Sequence, residues 1–193
     1  MMKTLSTLQS AKHYIKQAIQ EQSHPIAIDA TLGNGYDTIF LAQEVGAQGL
    51  VFGFDIQSLA IEKTSQRLQQ KGVLERATLF HAGHECWEAF IPHKYKNQIN
   101  AVMFNLGYLP HGDETIITRP ATTLQAMRYA CQWLAPRGII TIALYVGHEG
   151  GKDEVDHVIS LASKLPSNQF QVTWTQTLNR SSAPSLIVIE KIK

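Results

Sequence analysis

Cysteine is scarce in this chain of 193 residues, and the two present, Cys86 and Cys131, fall in unrelated segments with no Cys-x-x-Cys spacing. That excludes a disulfide framework and suits a reducing, cytoplasmic compartment. Both thiols are expected in the core or on a helix face. An excess of charge of one sign is lacking as well. With 17 basic against 16 acidic residues and a formal net charge of +1, there is no blanket electrostatic case for nucleic acid, so any RNA must be held by a local patch. No run approaches the roughly 18 apolar residues of a membrane span. The stretch behind Lys3 is broken by Ser, Gln, Lys12 and Lys16, so it lacks the apolar core of a secretory signal. No Gly-Lys-Ser/Thr occurs after a glycine loop, which rules out a phosphate-cradling P-loop.

What is present is an alternation of elements. Leu5, Leu8, Ile15, Ala18 and Ile19 recur near helical spacing and give an amphipathic helix that ends before His24-Pro25 and packs beside the first strand. Strands are expected over Pro25–Ala30, Leu50–Asp55, Ala77–His81, Ile99–Asn105 and Ile139–Tyr145. Helices are expected over Tyr36–Val45, Ser58–Lys71, Glu85–Phe90, Thr122–Leu134 and Lys152–Leu165. Strands separated by helices predict a parallel sheet covered on both faces. The last two β patterns, Phe170–Thr177 and Ser185–Glu190, have no helix between them and require an antiparallel edge. The sum is an α/β, Rossmann-like, seven-stranded, mostly parallel sheet with one reversed strand near the carboxyl end. This arrangement resembles the class I methyltransferases that use S-adenosyl-L-methionine. A single domain over residues 1–193 is expected, with residues 1–24 as a helical extension packed on it.

The first strand runs into Thr31-Leu32-Gly33-Asn34-Gly35-Tyr36-Asp37-Thr38, a nucleotide-cofactor loop. Gly33 and Gly35 let the backbone turn tightly and approach a ligand, and the following helix points its free N–H groups at it. Thr38 stands where a dinucleotide fingerprint has its third glycine. Asp55 closes the second strand twenty residues beyond Gly35, before Ile56 and Gln57, where a carboxylate accepts both ribose hydroxyls. NAD enzymes use the same device, so Asp55 alone does not choose the cofactor. Asp29 either braces the turn or approaches a bound ammonium, and Asp37 serves either the helix start or the cofactor. After the third strand the chain offers Ala82, Gly83 and His84 rather than a carboxylate, so adenine recognition falls to backbone groups or to His84.

The fourth strand ends in Asn105 and continues Leu106-Gly107-Tyr108-Leu109-Pro110-His111-Gly112-Asp113. Its place resembles the Asn/Asp-Pro-Pro-Tyr segment of amine methyltransferases, in which an amide and a backbone carbonyl accept the amine's hydrogens; a plain strand-end turn is the alternative. These residues, with Asp29 to Thr38, Phe54-Asp55-Ile56-Gln57 and Gly147-His148-Glu149-Gly150-Gly151, are together similar to the putative rRNA methylase family, the MnmM-like enzymes. The resemblance runs from about Ile26 to Lys191 and implies a tRNA-modifying enzyme. Its reaction would be methylation of the aminomethyl group of 5-aminomethyl-2-thiouridine at the wobble position, with the anticodon stem-loop as partner. The site residues it implies are Asn105, Tyr108, Tyr145 and His148 for catalysis, and Leu106, Gly107, Tyr108, His111, Asp113, His148, Glu149 and Arg180 for substrate. Tyr145 and His148, by their place at the end of the fifth strand, are candidates for proton acceptor or base-stacking partner. His111 departs from the family pattern by replacing an expected glycine. Arg119, Arg128, Lys152 and Arg180 are candidate phosphate contacts, with ordinary solvated charge as the commoner explanation of each. His81, His84, His148 and Glu149 have no recognised zinc spacing, so no metal is expected. Methylation of rRNA or of a small amine, and a non-catalytic cofactor- or RNA-binding module, are the competing functions. Whether the chain is a monomer or a homodimer is not fixed by these patterns.

Overall fold

Every residue of Ile26-Ala27-Ile28-Asp29 is buried, as a strand must be when helices cover both faces of its sheet. This computed structural model describes residues 5–113, 115–147, 149–180 and 182–193. Its strands are β1 (Ile26–Asp29), β2 (Leu50–Asp55), β3 (Ala77–His81), β4 (Ile99–Asn105), β5 (Leu134–Leu144), β6 (Phe170–Thr175) and β7 (Ser185–Lys191). They form one sheet in the order β3-β2-β1-β4-β5-β7-β6. β7 runs antiparallel to both β5 and β6, and the other pairings are parallel. The reversed strand therefore lies inside the sheet and β6 forms the edge.

The helices are α1 (Thr7–Gln20), α2 (Tyr36–Glu44), α3 (Ser58–Gln70), α4 (Trp87–Phe90), α5 (Pro120–Trp133) and α6 (Gly151–Ala162). Alternation along the strands sorts the core into two layers. Val102 and Phe104 of β4, Ile140 and Ile142 of β5, and Ile187 and Ile189 of β7 meet α5 and α6, with Trp87 and Trp133 among the side chains there. Ala101, Met103, Ile139, Leu186 and Val188 point the other way, toward α1 and α2.

α1 opens with a capping box: the Ser6 hydroxyl accepts from Gln9 N at 3.3 Å and Gln9 Oε1 accepts from Ser6 N at 2.9 Å. It lies mainly across β4, β5 and β7, not beside β1 as its place in the chain predicts. The crossover helix α2 already covers β1, which leaves the β4–β5 face to Ala11, Ile15, Ala18 and Ile19. Several boundaries also move. α5 begins earlier, with Pro120 in its first turn, where a missing N–H costs nothing. β5 begins at Leu134, which pairs with Ile99 before a bulge resets the register to Ile139 opposite Ala101. Arg137 takes φ +64° within that bulge. Cys131 is buried on α5, whereas Cys86 is exposed rather than in the core. Among the described residues no helix is long and apolar enough to cross a membrane.

Candidate active site

The strand order reverses between β1 and β4, and ligands of open α/β sheets bind beyond the carboxyl ends of the strands at such a point. A cleft of about 1210 Å³ opens there. It is lined by the glycine loop, the ends of β2 and β4, and residues 105–111 and 115–118, with Leu8 and Lys12 of α1 closing one side.

Asp55 ends β2 with both carboxylate oxygens engaged by backbone: Gly33 N donates to Oδ2 at 3.0 Å and Gln57 N to Oδ1 at 2.9 Å. It ties the glycine loop to β2 and keeps further lone pairs for hydroxyl donors. Ile56, 53% exposed, offers an apolar face next to it. Gln57 pairs with the backbone of Asp113, accepting from its N–H at 3.2 Å and donating to its carbonyl at 3.4 Å. Asn34 Nδ2 donates to the Pro110 carbonyl at 3.4 Å. These bonds lay the 106–113 segment against the glycine loop.

Asn105 is held on three sides. Its N–H donates to Thr31 Oγ1 at 2.8 Å, and its Nδ2 donates to Asp37 Oδ2 at 2.8 Å. Its Oδ1 accepts from the Tyr145 hydroxyl at 3.1 Å, and Asp37 Oδ1 meets Lys12 Nζ at 2.9 Å. An ionised carboxylate only accepts, so the amide nitrogen must face Asp37 and the amide oxygen the cleft side. Burial, then the Asp37 carboxylate, push the Tyr145 phenol above its ordinary pKa. Tyr145 is therefore a neutral donor that orients Asn105, and the role of proton acceptor does not suit it. Beyond Asn105, Gly107 N donates to Thr118 Oγ1 at 2.8 Å, and Thr118 donates onward to Glu154 Oε2 at 2.6 Å. Glu154, buried on α6, also accepts from Thr123 at 2.7 Å. This chain of bonds pins both ends of the 107–118 excursion.

Several residues expected at the cofactor lie behind the cleft. Asp29 is 1% exposed and spends its oxygens on Thr31 N at 3.1 Å and Thr38 Oγ1 at 2.6 Å. It braces the loop, as does Thr38. Gly35, with φ +79°, does not line the cleft. A Cβ there would stand 2.7 Å from Thr64 Oγ1 and 2.9 Å from Thr64 Cα. Its missing side chain admits α3, not a ligand. Gly33, by contrast, lines the cleft, and its nearest would-be neighbour is Leu109 at 3.8 Å. His84 is buried with Nδ1 against the Ala30 carbonyl at 3.1 Å, so Nδ1 carries the proton. Its Nε2 is buried without a partner among the described residues, and desolvation lowers its pKa. The imidazole thus braces the end of β1 in its neutral form while also lining the cleft. His81 likewise engages the Ile56 carbonyl at 2.9 Å.

Gly83, Leu106, Gly107, Tyr108 and His111 line the cleft; Glu149, Arg180 and Asp113 do not. Of the four candidate phosphate cations only Arg119 reaches it. His148 lies outside the described residues. His111 adopts φ +64°, the left-handed backbone that explains why a glycine is expected at this place. Lys12 and Glu85 were missed by the sequence reading. Glu85 lines the cleft and folds its carboxylate against Gly83, which restores an acid near the end of β3 that the residues Ala82 to His84 lack.

Burial, followed by repulsion from Asp37, raises the Asp29 pKa from its ordinary 3.8 to about 7. The folded chain then holds this proton more tightly than the unfolded chain does. Its contribution to stability falls as pH rises from about 4 to about 7 and levels off above. In Asp29→Asn the amide can accept from Thr31 N and donate to Thr38. The stability of this variant relative to wild type, followed by denaturant unfolding at several pH values, is expected to grow across that window by at most about 1.4 kcal/mol per pH unit. A difference independent of pH would refute the buried proton.

The family described as "Putative rRNA methylase" matches residues 51–191. An Arabidopsis thaliana protein named tRNA (mnm(5)s(2)U34)-methyltransferase, chloroplastic, is 39% identical over 178 residues, 88% of this chain and 64% of that protein. The chain thus spans just under two thirds of that relative's length. A structure described as a putative rRNA-methylase from Clostridium thermocellum is 40% identical with a TM-score of 0.93, covering 99% of this chain and 100% of that one. A putative methyltransferase from Streptococcus mutans, solved in complex with SAH, is 33% identical with a TM-score of 0.85 and 99% coverage of both chains.

Proposed function

The chain belongs to the "Putative rRNA methylase" family, and from that premise we propose that it methylates RNA with S-adenosyl-L-methionine. Its target is the aminomethyl nitrogen of 5-aminomethyl-2-thiouridine at the tRNA wobble position, as the name of the Arabidopsis relative suggests. The observation that carries the reading is Asn105, an amide locked by Thr31, Asp37 and Tyr145 at the rim of the cleft.

The cleft suits the cofactor. Asp55, already organised by Gly33 N and Gln57 N, takes the ribose hydroxyls. Ile56 packs on the adenine, and Glu85 accepts from its amino group. The glycine loop at Gly33 lies along the methionine portion. When bound, S-adenosyl-L-methionine supplies a sulfonium methyl carbon for in-line displacement.

The remaining task is alignment. Asn105 Oδ1 has one lone pair engaged by Tyr145 and one left for an amine hydrogen, and the Leu106 carbonyl accepts a second. Two accepted hydrogens aim the nitrogen lone pair along the displacement axis, and such positioning is worth several kcal/mol. An alkyl ammonium with a pKa near 10.4 is mostly protonated at neutral pH, so the half-buried setting of Asn105 must favour the free base by desolvation. His148 is the proposed proton acceptor, and Tyr108 the proposed base contact.

Nucleoside mass spectrometry of tRNA from a strain deleted for this chain tests the reading. Accumulation of 5-aminomethyl-2-thiouridine with loss of its methylated product is expected. An unchanged tRNA profile would overturn it.

A further inference from the structure

A second, shallower groove of about 430 Å³ lies beside the cleft. One wall is a stripe of α3 at helical spacing, Lys63, Gln66, Arg67 and Gln70; the other is Asn34, Tyr36 and His111, which the groove shares with the cleft. Among the described residues no carboxylate lines it. Glu62, the acidic neighbour on α3, lies outside the groove and accepts from Gln66 at 3.2 Å. Among the described residues neither Lys63 nor Arg67 forms an ion pair. The Arg67 guanidinium stands 4.4 Å over the Tyr36 ring centroid, and that ring is still 60% exposed.

We propose that this groove holds the single strand of RNA next to the reacting nucleotide, an inference that rests on the RNA-methylating reading above. Lys63 and Arg67 meet consecutive phosphates, and Tyr36, backed by Arg67, stacks a neighbouring base. The surface joins cations that have no ion-pair partner among the described residues to an exposed aromatic ring, the combination that binds single strands without reading sequence. Its continuity with the cleft through Asn34, Tyr36 and His111 places the strand so that the next nucleotide reaches Asn105. It also meets the demand of a chain with net charge +1, whose RNA affinity must come from a local patch.

The test is binding of an anticodon stem-loop RNA by fluorescence anisotropy over a salt series, with Lys63→Gln/Arg67→Gln beside wild type. Losing two phosphate contacts on a single strand is expected to weaken binding about tenfold or more at low salt. The slope of log K against log salt should fall by about 1.4, while cofactor affinity by calorimetry stays at the wild-type value. Gln70→Lys, which adds a cation to the same wall, is expected to tighten binding and steepen the slope. Wild-type affinity and slope in both variants would overturn the groove even where the wild-type protein methylates tRNA, leaving the functional reading intact. Methylation of rRNA alone would sink the tRNA assignment, and the same variants assayed on that RNA would still decide the groove. Transfer only to small amines would overturn both.

Discussion

Asn105→Ala is expected to lower kcat for methyl transfer by a hundred- to a thousandfold, the range seen when one preorganised polar group at a reacting centre is removed. Single-turnover transfer from labelled cofactor measures it. The truncation leaves the backbone bond from Asn105 N to Thr31 Oγ1 in place, so the fold should survive. Asn105→Asp should fare no better, although it keeps an acceptor. The side chain must donate to Asp37 at 2.8 Å while accepting from Tyr145 at 3.1 Å, and only an amide does both. An aspartate would set two carboxylates against each other with one partner, Lys12, between them. If Asn105→Asp kept wild-type turnover, the accepting amide would not be the orienting group, and the mechanism proposed above would fail.

Gly35→Ala is expected to destabilise the protein by about 3 kcal/mol. A non-glycine residue at φ +79° costs about 1–2 kcal/mol, and forcing a methyl into packed structure adds about 1–3 kcal/mol. The second cost follows from the contact with α3: the new Cβ would meet Thr64 Oγ1 at 2.7 Å, Cα at 2.9 Å and Cβ at 3.1 Å. For a chain of this size the loss corresponds to a fall in Tm of about 6–12 °C. Adding Thr64→Ala removes the hydroxyl but leaves the Cα and Cβ in the way, so it should recover less than half. Gly33→Ala makes the contrast. Its open surroundings at φ +52° predict a smaller loss of stability and a larger loss of cofactor affinity. Equal melting temperatures for Gly35→Ala and wild type would show that α3 does not need this gap.

The two glycines illustrate how far the site is legible in the sequence. A strand pattern followed by Gly-x-Gly announces that backbone must turn and something must come close; it does not say what comes close. At Gly33 it is the cleft, and at Gly35 it is a threonine from the next helix. Asp55 and Asn105 were visible because each closes an apolar strand run, and the ends of parallel strands are where ligands bind. Asp29 closes such a run too, but its oxygens are consumed within the loop by Thr31 and Thr38. Lys12 and Glu154 could not be seen in this way. Lys12 is a surface charge of α1 and Glu154 a buried one of α6, neither with a periodic signature, and the partner of each, Asp37 or Thr118, is remote in sequence.

The chain's own pattern determined the alternation of strands and helices, the antiparallel ending and the two strand-end polar groups on which the proposed chemistry turns. These follow from local periodicity and from turn residues, which act over a few positions. The sequence left open which way the Asn105 amide faces, which carboxylates meet the cleft, why Gly35 has no side chain, and where two cations of α3 stand beside an exposed tyrosine. The tertiary structure decided those points, because each depends on groups from separate elements meeting within about 3–5 Å, which packing of the whole sheet brings about and no single segment encodes.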